Sequence, residues 1–341
     1  MLKSGKSFWY IFILMKGSNL PISFCSLLVF VFHFLAYPAL QSQEEQNSPG
    51  PRWGHVLIHN PVDSSLLLFG GKRSKEESYL SDTWVWKNNE WKLASQDGPS
   101  GRGFCAATFH TERQSIILHG GRGDNQLVNS DLWEWDGYSW TPIETESEFR
   151  ADHHQMIYVP NENHIVAFGG WNGEDVSNKT WIWNGSWLEM NGPSPPKRAA
   201  FGMAYNNKEH SIILYGGLWI NGQYADIWSW KTNQWTAESE PYDNSSLDHH
   251  SLIFDPSSNR IIGFGGKNYR YVPQATTFSI IANSIIPLNI EGPNARHSFG
   301  FAYDRYSKHA FLYGGKEYLD GNQNALNDFW RWDGVNWERI Q

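Results

Sequence analysis

Apolar positions along this chain come in short runs that stop on paired glycines. Ser65-Leu66-Leu67-Leu68-Phe69 ends on Gly70-Gly71 and is answered about a dozen residues later by Trp84-Val85-Trp86. The pair returns at Gly120-Gly121, Gly169-Gly170, Gly216-Gly217, Gly265-Gly266 and Gly314-Gly315, in steps of 50, 49, 47, 49 and 49 residues. A fixed period near fifty marks a repeat architecture. In the first unit the pattern predicts four strands, at 54–58, 65–69, 83–86 and 91–93. Successive strand residues face opposite ways, so Trp84 and Trp86 belong on one face of the sheet. Asp136-Gly137, Asn184-Gly185 and Asp333-Gly334 predict type I′ hairpins leading to Trp140, Trp187 and Trp337. The fifth unit departs from the others, with Phe278 in the place of a Trp and no closing Trp across 284–288, which predicts a blade that is present but packed differently.

With 19 Trp and 40% hydrophobic residues, the composition reads as all-β with enough material for a large core. The apolar run into Gly-Gly, the paired aromatics, the last Trp and an Arg before the first strand in all but the fifth unit, which has Leu247 there, together resemble the kelch repeat over residues 50–341. The resemblance implies an all-β, six-bladed kelch-type β-propeller with four antiparallel strands per blade around a central channel. Arg52 starts the first unit and Trp337 finishes the last, so no swapped closing strand is demanded. The repeats are also similar to those of galactose oxidase. That enzyme's cofactor joins a Cys to a Tyr, whereas no Tyr stands at the matching place near Cys105 and no set of two Tyr and two His is evident, which argues against a copper oxidase.

Residues 1–43 read as a signal peptide or N-terminal membrane anchor, because 20–40 is a long apolar stretch preceded by Lys16. Start sites at Met1 and Met15 are both open. Residues 44–49 read as a linker to the propeller at 50–341. A secreted or extracytoplasmic monomer is expected, touching membrane only if the N-terminal segment stays uncleaved. The net charge of −8 without a basic cluster gives no footprint for nucleic acid. With Cys25 in the apolar segment and Cys105 in the repeats, no disulfide framework holds the fold.

Fold alone does not give function. Arg52, Arg102, Arg198 and Arg296 stand 18 residues before their glycine pairs and Arg150 stands 19 before. Guanidinium forks converging on one mouth suit an anionic ligand. The plainer alternative is that each Arg satisfies carbonyls and carboxylates within its own repeat. Fifteen before the glycines stand His55, Cys105, His154, Phe201, His250 and Phe299; three histidines in alternate blades suggest a metal, while inner-strand packing is the simpler reading. His153 and His249 precede this place by one and are expected to point the other way. The loops after the glycines carry Trp171, Trp219 and Tyr269, which with Trp53 and the five arginines form the candidate ligand-binding set. No catalytic group, cofactor or metal is called for. The expected function is a module binding a protein or a glycan through the loop rim; the alternative is an enzyme of the acidic-sugar epimerase or lyase kind using His154 or His250 as acid or base.

Overall fold

The computed structural model describes residues 47–239, 245–319 and 322–341, so the expectations for 1–43 and for 44–46 of the linker lie outside it. The propeller belongs to the unit Glu45–Gln341. Among the described residues the only helix is a single 3-10 turn at Asp124–Gln126, and no helix is long and apolar enough to cross a membrane.

Six four-stranded antiparallel sheets follow one another, each with its strands in spatial order. Blade 1 is Val56–Asn60, Ser65–Phe69, Thr83–Lys87 and Glu90–Ser95; blade 6 is Gly300–Asp304, His309–Leu319, Asn322–Trp332 and Trp337–Arg339. The first strand of every blade touches the first strands of both neighbours, and blade 1 meets blade 6. These first strands form the inner ring of a closed propeller.

Two circles of backbone hydrogen bonds close it without an exchanged strand. In the first, each second glycine donates to the next blade, beginning with Gly71 N to Arg102 O (2.9 Å) and ending with Gly315 N to Arg52 O (2.9 Å). The second runs nearer the axis through Gly54, Phe104, His153, Ala200, His249 and Ser298, each donating to its predecessor, with Gly54 N to Ser298 O at 2.8 Å completing the turn. Every residue of this inner circle has φ between 53° and 68°. That conformation costs L-residues on the order of 1 kcal/mol, and here it turns each amide along the ring. It also delays the first strand, which starts at Val56 and not at 54.

The core is six layers, one between each pair of neighbouring blades. Leu66 and Leu68 face blade 6 while Leu67 and Phe69 face blade 2, which explains why the run before the glycines is apolar without interruption: both its faces are covered. Trp84 and Trp86 share the blade 6 side as their spacing predicts. The first glycine is needed because a Cβ on Gly70, at φ 72°, would lie 2.4 Å from Arg102 O.

Blade 5 keeps its four strands. Phe278 is buried there at 1% exposure and packs against Gly263, where a Cβ would lie 2.1 Å from the ring. The glycine makes the space that lets Phe replace Trp. The hairpins differ from expectation. Two-residue turns with positive φ at both positions occur at Asn88-Asn89, Thr232-Asn233 and Ala282-Asn283. In the Asp136-Gly137 loop only the glycine has positive φ, because Asp136 Oδ1 accepts the Tyr138 and Ser139 amides at 2.8 Å and holds a longer turn.

Candidate functional site

Four of the five arginines are buried. Arg198 donates to Gly216 O at 2.9 Å, to both oxygens of Asp226 at 2.6 and 2.8 Å, and to Pro196 O at 3.1 Å. Arg52 with Asp82, Arg102 with Asp131 and Arg296 with Asp328 repeat the fork, each also holding the carbonyl of its first glycine. A Trp two residues on donates its indole N–H to the same carboxylate, as in Trp228 to Asp226 at 2.7 Å. Burial alone would raise the Asp82, Asp131 and Asp328 carboxyls; the arginine forks outweigh it and hold all three below the ordinary range. Because the arginine's own carbonyl receives the preceding blade's glycine, the residue staples two blades together. These guanidiniums are spent within their repeats, and none is presented to the mouth. Arg150 is exposed at 48% and pairs with Glu174 at 3.1 Å. The true third-unit counterpart of the four is Ala151, with Lys179 where the Asp would be.

At the axis lies a cavity of about 90 Å³ lined by the residues 15 and 16 before the glycines. Sites for small molecules are usually several times larger. His153 and His249 both line it, their rings 5.2 Å apart. They do not point away, since positive φ at that place breaks the strand alternation. Asp152 Oδ1 and Asp248 Oδ1 each meet the Nδ1 of the following histidine at 2.5 Å. An aromatic line crosses the mouth: Phe104 stacks on His153, His249 follows, then His297 at 5.6 Å, then Tyr318 stacked on His297 at 5.7 Å. Burial drives His249 down to about 4 and His297 to about 2, with neighbouring cations adding to the second. His55 and His250 are pushed to about 3, and His154 well below its usual value, again chiefly by burial. All five are neutral at pH 7. Among the described residues no group of His, Cys, Asp and Glu is arranged to hold a metal.

Of the remaining candidates, Trp171, Trp219 and Tyr269 follow their glycine pairs by one, two and three residues, while Trp53 directly follows Arg52. Trp171 and Trp219 are half-buried, Trp219 stacking on Tyr224 at 6.3 Å. Tyr269 is 43% exposed beneath Arg270. Trp53 is buried, its backbone bridged to Lys72 and its ring covered by the ammonium of Lys316 at 4.4 Å. The place immediately after the glycines, held by the candidate Trp171 in blade 3, carries a cation in four of six blades, Lys72, Arg122, Lys267 and Lys316, none of them in the candidate set. Arg122 Nε is bound to Asp152 at 2.7 Å and Lys267 Nζ to Asp248 at 3.2 Å. Lys72 and Lys316 have aromatic rings and, among the described residues, no carboxylate. The signal was available in the sequence as a cation recurring at a fixed offset.

Six complete blades, closed by backbone circles and stapled by Arg–Asp pairs, define a kelch-repeat β-propeller. The chain belongs to the family described as the KLHDC2/KLHL20/DRC7 Kelch-repeats domain, matched over residues 12–186. It is similar to tRNA wybutosine-synthesizing protein 4 of Aspergillus oryzae, 24% identical over 196 residues, covering 54% of this chain and 18% of that protein. It is also similar to Dynein regulatory complex subunit 7 of Chlamydomonas reinhardtii, 29% identical over 125 residues, covering 35% of this chain and 11% of that protein. Mei4-dependent protein 6 of Schizosaccharomyces pombe is 28% identical over 120 residues, covering 31% and 17%. The matched part spans less than a fifth of each of these relatives.

Proposed function

We propose that this propeller is a protein-binding module that meets its partner across the rim of loops following the glycine pairs. The observation that carries the reading is the apolar surface on the neighbouring loops of blades 4, 5 and 6. Ile220 is 80% exposed, Tyr271 55%, Val272 50%, Tyr318 44% and Leu319 56%. Large side chains gathered on adjacent loops of a rigid scaffold suit a protein partner. The small axial cavity gives a ligand little room below them. The similarity to a protein named as a subunit of a dynein regulatory complex is in keeping with a scaffolding role.

The test is a photo-crosslinking residue placed at Tyr271 on the rim or at Leu188, exposed at 61% on an outer strand. The reading expects protein adducts from the first position and few from the second. Adducts at Leu188 alone would move the interface to the side of the propeller. We also propose export, on the strength of residues 20–40; the first residue of the mature chain checks it, with a terminus beyond 40 expected and an intact start at Met1 or Met15 counting against cleavage.

A further inference from the structure

Lys316 is an anomaly among the cations of this chain. It is only 7% exposed, and among the described residues it makes no ion pair and no side-chain hydrogen bond; its ammonium rests on the Trp53 ring at 4.4 Å. The stem is buried and the ammonium partly desolvated; an ammonium so placed without a counter-charge is unfavourable, and an aromatic face offsets only part of that cost. Its surroundings add to the cost. Burial first, and then the nearby Lys75, Lys267 and Lys72, pull it down to about 8. Among the described residues the sector's buried carboxylate is Asp248, which is already engaged by His249, Gln223 and Lys267. Beside Lys316, to which its backbone bridges, His297 has a buried Nε2 with no partner among the described residues. Among the described residues, a chain of net charge −8 thus leaves a block of positive charge without matching carboxylates where blades 5, 6 and 1 meet the mouth.

The flanks of this block narrow the occupant. Tyr271 and Val272 border it on blade 5, and Tyr318 and Leu319 on blade 6, all between 44% and 56% exposed. Nucleic acid would call for a broad basic field, and phosphate favours the arginine fork. Lysine point charges interleaved with aliphatic and aromatic surface fit carboxylates alternating with apolar side chains. We infer that the mouth across blades 5, 6 and 1 receives an acidic stretch of a partner polypeptide, its carboxylates set against Lys72, Lys267 and Lys316 and its apolar residues against Tyr271 and Tyr318. This rests on the protein-binding reading and specifies its ligand.

The test selects displayed random 12-residue peptides on the full chain, then measures the enriched peptides by fluorescence polarisation against the wild type, Lys316→Met and Lys316→Arg. The expected winners are rich in Asp and Glu beside aromatic or aliphatic residues. They should lose at least tenfold in affinity when their acids are changed to amides, lose at least tenfold on Lys316→Met, and keep most of it on Lys316→Arg. Lys316→Met should fold at least as well as the wild type, so a loss of binding is not a loss of structure. Winners without an acidic surplus, or binding indifferent to Lys316→Met, overturn the inference, and so does a Lys316-dependent response to an acidic oligosaccharide with none to peptides. Adducts at Tyr271 that persist in Lys316→Met would overturn this inference while leaving the protein-binding reading in place.

Discussion

The arginines at the blade roots and the lysines at the mouth are close in space and joined by backbone, since Trp53 follows Arg52 and bridges to Lys72. Their circumstances are opposite. Each buried arginine has a carboxylate supplied by its own repeat 28 to 32 residues later, two backbone carbonyls accepting from its other donors, and an indole bracing the carboxylate. Lys316 is nearly as buried and has a ring. The difference teaches that burial of a cation says little about its role; the presence of a counter-charge from the same fold decides it. A cation that the fold satisfies is a structural part, and one that the fold leaves unsatisfied is available to something else.

The largest expected effect is of acid, which separates the arginine staples from the buried histidines around the axis. His55, His119, His249, His250 and His297 are held neutral by burial, with values from about 2 to about 4. Their folded values lie below the unfolded 6.5, so the unfolded chain binds more protons as pH falls, and the stability they confer is present above 6.5 and lost on the way down. Each contributes about 1.4 kcal/mol per unit traversed. A urea midpoint should therefore fall by an amount corresponding to several kcal/mol between pH 7.5 and 5.5. The Arg–Asp pairs persist through that window, because Asp82, Asp131 and Asp328 are held below 3.8 and fail only under stronger acid. A flat midpoint down to pH 4 would contradict the neutral histidine layer.

Next in size is a broken staple. Arg198→Met leaves Asp226 buried without its partner and should cost about 3–5 kcal/mol in chemical denaturation. Arg150→Met, at an exposed pair, should cost less than about 1 kcal/mol. Equal losses would erase the distinction between the aligned arginines and the displaced one. The smallest effect concerns the braces between blades. Trp140, Trp235 and Trp337 donate across the blade interface to Thr83, Thr180 and Thr277 at 2.8 to 2.9 Å. Thr180→Val should cost about 1 kcal/mol by orphaning one indole N–H, read as a shift of the thermal midpoint, and an unchanged midpoint would mean that water or rearrangement supplies the missing acceptor.

Blade number, strand order and the shared face of Trp84 and Trp86 were legible in the sequence, because a two-residue strand period and a fifty-residue repeat period leave little freedom. The four buried arginines were legible as a recurring feature, but their meaning was not. It needed the Asp two residues before each first Trp. Asp82, Asp131, Asp226 and Asp328 are present in the units that have the aligned arginine, while Lys179 and Thr276 stand where it is Ala151 or Leu247. That joint loss within one chain identifies the pair. The directions of His153 and His249 were not legible, because alternation holds only inside a strand and these residues precede it with φ of 53°. The Asp-Gly hairpins misled for a related reason: the Asp side chain captures nearby amides and lengthens the turn.

The most direct measurement sets the two cations side by side: urea unfolding of Arg198→Met and Lys316→Met at pH 7.5, against the wild type. Both replace a buried cation with an apolar chain of similar length. The account predicts opposite signs, with a lower midpoint for Arg198→Met and an unchanged or higher one for Lys316→Met. Losses of the same sign and comparable size would mean that Lys316 is as structural as Arg198, and would contradict the claim that the mouth holds charge reserved for a partner.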